Sequence, residues 1–452
     1  MEYEIHSDLT PEQFNRKYKI NAAFAEKLKL TDTKKTNNSI AGKPKILAVE
    51  ILKRFFSNPI VVISTIVFLS LIILAFVVKY TSPYLPGKPV VDTWKSQGYK
   101  ITGSEVAYYA ELPPTFSPFK EYGGNVKQIE DIQKYTNPDP NVNPYYEYFK
   151  TYLIPDKTYF VIDNSSSFPI YKIDVYKLWQ VTTLDGYMSQ LKNQWLAAHP
   201  GSTPTQSEFN IWFAEAKEAL NQVNLQTWFG TTGNGADIWT TVWAGTLESL
   251  WIALVVATIE TVIGVFVGAI LGFYAGKWID TIFSRVIEIF QAPPSIIWLL
   301  MFVSIWGTSA PVLIAGLLFV GWTYPIAATR LFVITVKDEE YITASKSIGA
   351  SPARQIFSHA LPAVIGKIAQ NYVRRIPAII ISIASLAFLG FFSDPTSFNL
   401  GKIMIDNTAL ATVNPWVMIL PATILLLISI SLQFVALGLH DALDPKVIKL
   451  KK

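Results

Sequence analysis

The sequence is poor in charge and contains no cysteine. Only 16% of its 452 residues are charged and half are apolar, whereas about 25% charged residues is usual for a soluble globular protein. A soluble protein with so little charge could not solvate its surface, so the composition indicates an integral membrane protein. The lack of cysteine excludes disulfides, thiolate metal sites and cysteine nucleophiles, and four scattered histidines leave little room for a histidine metal cluster.

Sequence signatures of catalysis are also missing. There is no GxxxxGK[ST] phosphate cradle, no HExxH and no GxSxG. Acidic residues are sparse in the apolar runs, which argues against a proton-relay transporter or an intramembrane aspartyl protease. The net charge of +4 is too small to indicate nucleic-acid binding. We therefore predict no catalytic residue, no metal site and no cofactor in this chain, and a partner that supplies any driving energy.

Long apolar runs predict six transmembrane helices, because a bilayer core about 30 Å thick needs about 20 apolar helical residues. The runs are Pro59–Val78, Leu250–Ala275, Ile289–Ala328, Ile376–Phe392 and Pro415–Leu439. The third run is long enough for two spans, and the polar tip at residues 306–309 is the expected turn between them. The first run is predicted to be a true span rather than a cleaved signal peptide, because 58 hydrophilic residues precede it.

The distribution of Lys and Arg predicts that both termini are cytoplasmic. The N-terminal tail, residues 1–58, carries 11 basic residues against 7 acidic ones, and the C-terminal tail, residues 447–452, is basic. The segment 337–375, interpreted as a loop, carries six basic residues against three acidic ones. By contrast, residues 82–240 carry 12 Lys, no Arg and 16 Asp and Glu, so this segment is expected outside the cell.

Residues 82–240 are predicted to form an α+β extracytoplasmic domain inserted between the first two spans. Its many tryptophans and tyrosines need a hydrophobic core to bury them. Alternating apolar residues predict strands near Tyr159–Ile162 and Tyr171–Tyr176, and a stripe of apolar residues predicts an amphipathic helix over about Thr205–Asn224.

The segment 338–362 predicts a helix–turn–helix on the cytoplasmic side. Three acidic residues at the start of a helix suit its dipole, small residues follow, and Gly349 can end the helix. Pro352 then stands at the start of a second helix. Such a surface of small residues can enter a groove on a partner, although an ordinary solvated loop is the alternative.

This segment resembles the "EAA" coupling loop of ABC importer permeases. Residues 343–345 (Thr-Ala-Ser) stand at the Glu-Ala-Ala position, Gly349 at the family's glycine, and Ile356 and Leu361–Pro362 at its closing part. Other stretches resemble the C-type permease of oligopeptide and dipeptide importers, in the family's order: Phe229–Thr231 with Gly235–Trp239, Ala292–Ser295, Ser385–Gly390, Asn414–Trp416 and Leu437–Lys446. Thr343, Ser345 and Ala236 depart from the usual residues, and the long insertion is not part of the family pattern.

The resemblance implies the type I ABC importer fold. It divides the chain into a tail (1–58), the first helix (59–80), the insertion (82–240), a permease domain with helices 2–6 (246–446) and a basic tail (447–452). Implied partners are a B-type second permease, two ATPase subunits that bind ATP and Mg, and an extracellular peptide-binding lipoprotein, in a bacterial cell membrane. The implied coupling surface comprises Tyr341, Ala344, Ser345, Gly349, Ala350, Ser351 and Arg354.

The implied function is a permease subunit that forms a path for oligopeptides and is not itself an enzyme. Dipeptides or nickel are alternative cargoes, and a membrane receptor with a ligand-binding ectodomain or a polytopic enzyme are alternative classes. Glu260 is a lone acid in the second span, where an ionised carboxylate is costly. It could face the path and contact a peptide's amino terminus, but a hydrogen bond to a neighbouring helix is the favoured interpretation.

Overall fold

The structure is a computed structural model of the full chain. It describes residues 10, 13, 16, 47–96, 98, 111–124, 126–163, 169–223, 225–392 and 397–443. Most of the predicted N-terminal tail and all of the predicted C-terminal tail lie outside the described residues. The chain divides into two compact units, Met1–Lys53 and Arg54–Lys452, and the second contains almost all of the described structure.

The described structure is mostly helical. The first part of the chain forms α1 (Leu47–Phe55), α2 (Pro59–Thr81), α3 (Val90–Ser96), α4 (Lys127–Thr136), α5 (Tyr146–Phe149), α6 (Val175–Ala198) and α7 (Gln206–Gln222). The second part forms α8 (Ile238–Phe273), α9 (Trp278–Gln291), α10 (Ser295–Trp306), α11 (Ala310–Gly321), α12 (Thr323–Ile334), α13 (Glu340–Ser347), α14 (Pro352–Arg354), α15 (Leu361–Phe388), α16 (Leu400–Asp406) and α17 (Trp416–Leu443).

Five of these helical stretches are long and apolar enough to cross a membrane. They are α2, α8, α11 with α12, α14 with α15, and α17, and the pair α9–α10 makes six if it counts as one span. Polar side chains directly before the first residue cap the starts of two of these helices. Asn58 accepts a hydrogen bond from the Ile60 N–H ahead of α2, and Asp237 accepts one from the Thr240 N–H ahead of α8.

The third predicted span differs from its expected form. Instead of beginning at Ile289, the helical structure begins at Trp278 and bends by 71° between α9 and α10. Two consecutive prolines at positions 293 and 294 interrupt the helix there, because proline lacks the N–H that the helix needs. The expected turn after Trp306 is present, and Gly307 adopts a positive φ of 84° in it.

The fifth predicted span begins much earlier than Ile376. Helix α15 starts at Leu361 and continues from α14 through a wide π-helical turn at Gln355–Ala360. Arg374 and Arg375 therefore lie inside a long helix, and the interpretation of residues 337–375 as a short basic loop is wrong. Charged residues that pair with another helix or line a cavity can lie within a span, which a hydropathy pattern does not reveal.

Between α2 and α8, three short strands form an antiparallel sheet. β1 (Phe119–Gly123) and β2 (Tyr159–Asp163) both pair with the central β3 (Ile170–Asp174). Strands therefore occur at both predicted positions, and α7 covers most of the predicted amphipathic helix. The segment has its own hydrophobic cluster, in which Phe149, Leu178 and Trp179 are almost completely buried.

Helix α8 is the centre of the helix bundle. It packs against α2, α12 and α15, and α17 packs against α2 and α15. The bundle core includes Ile252, Val256, Ile379 and Ile383 from α8 and α15. Helix α8 has 36 residues and is therefore about 54 Å long. The inserted segment at its start and the turn around Gly349 near its end thus lie at opposite ends of the bundle.

Candidate functional site

The helix–turn–helix expected around Gly349 is present. Helix α13 ends in a turn in which Gly349 has a φ of +85°, a conformation that glycine adopts without strain. The Gly349 N–H donates to Lys346 O at 3.0 Å, and the Ala350 N–H donates to Ser345 O at 3.1 Å. These two bonds satisfy carbonyls at the helix end, as in a Schellman motif.

The second half of the turn is held by side chains. The Arg354 N–H donates to Ser351 Oγ at 3.4 Å ahead of α14, whose first residue is Pro352. Gln355 Nε2 donates to Ala350 O at 2.7 Å across the turn. The turn is thus fixed in one conformation by both its backbone and its flanking side chains.

The turn is anchored to the ends of three long helices. Ile342 of α13 and Ile356 of the π-helical turn are buried in a cluster with Ala269 of α8, Val333 of α12 and Val364 of α15. Because well-packed side chains transmit displacement instead of deforming, a force on the turn would be passed to α8, α12 and α15 together.

The outward surface of the turn differs in part from the predicted coupling surface. Among the predicted residues, the exposed ones are Tyr341, Ala344, Gly349, Ser351 and Arg354, and Ala350 is half-buried. Partial burial raises the pKa of Tyr341, and the neighbouring Glu339 carboxylate adds to that increase.

Ser345 points into the protein, and its Oγ has no hydrogen-bond partner among the described residues. The most exposed apolar side chain on the turn is Ile348, at 87% exposure. It lies within the predicted surface, Tyr341–Ser351, but is not one of the residues singled out there.

Glu260 forms a buried ion pair with Arg375. Arg375 Nε donates to Glu260 Oε2 at 2.6 Å, and Arg375 Nη2 donates to Oε1 at 3.0 Å. Glu260 is fully buried and the guanidinium also lies over the Tyr324 ring, 4.9 Å from its centroid. The carboxylate is therefore enclosed in the bundle and bonded to the neighbouring helix α15, as in the favoured interpretation, with Arg375 as the partner.

A second ion pair joins α9 to α12. Arg330 Nε and Nη2 donate to the two carboxylate oxygens of Asp280, at 2.5 and 2.7 Å. Asp280 also accepts from the Gly276 N–H at 2.9 Å. The pair lies near the end of the bundle that carries the Gly349 turn, because Val333 of α12 is packed against that turn. No local sequence pattern indicates this pairing.

No cluster of metal-ligating side chains occurs among the described residues: none of their His, Asp and Glu side chains form a group of three that could hold a metal ion.

Two family descriptions match separate parts of the chain. "N-terminal TM domain of oligopeptide transport permease C" matches residues 47–97, and "Binding-protein-dependent transport system inner membrane component" matches residues 264–449. Among solved structures, the MetNI methionine ABC transporter in inward-facing conformations is similar over 44% of this chain and 96% of its own, at 20% identity and a TM-score of 0.37.

Similar proteins extend the match over most of the chain. The oligopeptide transport system permease protein OppC of Mycoplasma pneumoniae is 30% identical over 421 residues, which cover 92% of this chain and 94% of that protein. OppC of Bacillus subtilis is 31% identical over 222 residues, covering 49% of this chain and 72% of its own. The dipeptide permease DppC of Alkalihalophilus pseudofirmus is 32% identical over 228 residues, covering 50% and 75%. The chain therefore belongs to the binding-protein-dependent ABC importer permeases, in the oligopeptide transport permease C family.

Proposed function

We propose that this chain forms, with a second permease subunit, the transmembrane path of a peptide importer. The names of its relatives support oligopeptides as cargo, and the DppC relatives support dipeptides as the alternative. The two permeases would rest on two ATPase subunits, which bind ATP and Mg and perform the hydrolysis. An extracellular peptide-binding lipoprotein would deliver the peptide.

The observation that carries this proposal is the anchored turn around Gly349. It presents Ile348 to the outside while Ile342 and Ile356 hold it against three long helices. An exposed apolar side chain on a rigid support suits insertion into a groove on an ATPase subunit. Closure of the ATPase pair would then shift α8, α12 and α15 together, and the permease would alternate between two states.

The proposed arrangement in the membrane follows from this coupling. The Gly349 turn would lie in the cytoplasm with both termini, in a bacterial cell membrane that the chain crosses six times. The α+β insertion at residues 82–240 would then lie outside the cell, at the opposite end of α8. There it would dock the binding protein or cap the outer mouth of the path.

The coupling can be tested with a single exposed side chain. Ile348→Asp places a charge where the ATPase groove would hold an apolar group, so peptide uptake driven by ATP in vesicles is expected to fall at least about tenfold, which corresponds to ~1.4 kcal/mol of docking free energy. Ile348→Val keeps an apolar side chain at the same site and is expected to retain uptake.

Uptake by Ile348→Asp at the wild-type rate would overturn the coupling role of the turn. Wild-type vesicles that assemble with ATPases yet import neither oligopeptides nor dipeptides would overturn the cargo. A chain that binds no ATPase at all would favour a receptor.

A further inference from the structure

A polar stripe runs along one side of α15. Its members are spaced by four, three, eight and three residues, and each of these spacings returns to the same helix face: Lys367, Asn371, Arg374, Ser382 and Ser385. All five are half-buried or exposed, whereas the neighbouring Val373, Ile379 and Ile383 are buried in the bundle core. One face of α15 therefore packs into the bundle, and another presents polar groups away from it.

Arg374 is the member of this stripe whose exposure to lipid would cost the most free energy. Its side chain is exposed, and among the described residues it has no ion-pair or hydrogen-bond partner. A charged side chain that faces lipid at the centre of a helix costs about 2.5–3.5 kcal/mol or more. The stripe is therefore expected to face water or protein within the membrane, not lipid.

The depth of Arg374 follows from its neighbour. Arg375 pairs with Glu260, which lies 13 residues before the end of α8 at Phe273. At 1.5 Å per residue this is about 20 Å along α8 from that helix end. Since a bilayer core is about 30 Å thick, Arg374 is expected to carry its charge within the membrane.

The buried ion pair leaves the charge of Arg374 uncompensated. Glu260 already accepts two hydrogen bonds from Arg375 and is fully enclosed. The two arginines and the one carboxylate give this region a net charge of +1. An anionic group that approached Arg374 would meet a cation that no other described residue neutralises.

Arg374 lines a half-enclosed cavity of about 240 Å³ between α8, α12 and α15. Asn371, Tyr324, Tyr372 and Thr261 add polar groups to its wall. Tyr372 OH is held 3.1 Å from Thr258 Oγ1, and the Asn371 amide has no partner among the described residues. The cavity is smaller than the 300–1,000 Å³ typical of a site for a whole drug-sized ligand, so it suits one end of a longer molecule.

We propose that this cavity binds the C-terminal carboxylate of a peptide during its passage, through the Arg374 guanidinium and the Asn371 amide. Guanidinium pairs with carboxylate through short, charge-assisted hydrogen bonds. Every linear peptide with a free C-terminus carries this carboxylate, so the site recognises cargo without reading its side chains. This inference rests on the proposed function as a peptide permease.

The test compares two peptides of identical sequence, one with a free C-terminal carboxylate and one with a C-terminal amide, both without acidic side chains. Initial rates of uptake are measured in vesicles that hold the complete importer and its loaded binding protein. The readout is the ratio of the two rates. Because the binding protein is the same throughout, its own preference cancels when this ratio is compared between variants.

Arg374→Gln is expected to lower the acid-to-amide ratio about tenfold, as the loss of one charge-assisted hydrogen-bonding partner would. Arg374→Lys keeps the charge and is expected to retain most of the ratio. The matched control is Arg285→Gln, which removes the same charge from an exposed residue of α9 that pairs with Glu288 and is absent from the cavity wall.

An unchanged ratio in Arg374→Gln would overturn this inference while peptide uptake itself would still support the proposed function. If Arg374→Gln fails to assemble, Asn371→Leu decides, because it removes the amide at similar volume and is also expected to lower the ratio. An unchanged ratio there overturns the inference equally. Absence of any peptide uptake by the wild type would overturn the proposed function and this inference with it.

Discussion

Glu260 and Arg375 lie 115 positions apart in the sequence, and only the fold brings their side chains together. Hydropathy identifies Glu260 as a lone acid in an apolar run, so a partner of some kind could be predicted from the sequence. The identity of that partner could not, because Arg375 stands next to a second arginine at the edge of another apolar run. Ion pairing across helices depends on helix packing, which no local pattern encodes.

Breaking this ion pair should destabilise the protein strongly. Glu260→Ala leaves the Arg375 guanidinium partly buried without its counterion, which is expected to lower the free energy of unfolding by about 3–5 kcal/mol. The matched substitution Glu288→Ala affects an exposed i,i+3 pair with Arg285 and is expected to have little effect. Thermal unfolding of the purified chain in detergent measures both. Equal midpoints for the two variants would show that the buried pair does not hold α8 to α15.

At the scale of the helices, three glycines on α8 explain how closely α12 approaches it. Gly264, Gly268 and Gly272 recur at every fourth residue, and the α12 backbone or side chains occupy the space that a Cβ would need. A Cβ on Gly268 would lie 2.5 Å from Ile326 O. Such small-residue spacing allows the close packing that holds helices together in a membrane. This spacing was visible in the sequence, but nothing in it specified α12 as the partner.

Gly268→Ala is expected to push α8 and α12 apart. Overpacking at a tight contact costs about 1–3 kcal/mol, so the thermal midpoint in detergent should fall. Gly233→Ala is the control, since a Cβ at that position would meet nothing closer than Asn407 Oδ1 at 3.9 Å. A midpoint for Gly268→Ala that matches the control would mean that the two helices separate without cost.

The helices were predicted best where one uncharged apolar run makes up nearly the whole helix, as for α2 and α17. They were predicted less well where charges lie within a helix. The Asp280 carboxylate is paired with Arg330, so α9 could begin well before the uncharged run. Arg374 lies on a polar face, so α15 could extend far beyond its apolar half. Local hydropathy counts such charges as helix ends because it detects neither the partner of a paired charge nor the polar helix face on which an unpaired charge lies.

For the whole molecule, the resemblance predicted the permease fold, but the sequence could not predict how residues 82–240 contact the helix bundle. The match to the Mycoplasma pneumoniae relative covers 92% of this chain and so includes the insertion, whereas the Bacillus subtilis match covers 49%. The Mycoplasma pneumoniae match therefore includes most of residues 82–240.

The insertion is fastened to the helix bundle close to the start of α8. Asn414 Nδ2, just ahead of α17, donates to Phe229 O at 2.9 Å, and the Gly233 N–H donates to Asn407 Oδ1, just after α16, at 2.9 Å. The Phe116 ring contacts those of Phe229 and Trp416, with centroids 6.0 and 5.9 Å apart. These contacts depend on residues more than 100 positions apart, which is why the sequence alone could not predict them.

Deleting residues 90–225 should leave the helix bundle able to fold but weaken docking of the binding protein. The chain leaves and re-enters the bundle at neighbouring points, since Tyr84 OH accepts from the Gln226 N–H at 2.9 Å, so a short glycine-rich linker can reconnect it. The bundle core contains no residue of the deleted segment, so we expect the variant to assemble with its ATPases.

Uptake at limiting binding protein should fall about tenfold, equivalent to ~1.4 kcal/mol of docking free energy. The Glu218→Ala variant, which keeps the insertion and changes only an exposed residue of α7, serves as the control and should retain most uptake. Transport unchanged by the deletion would exclude both docking and capping by the insertion.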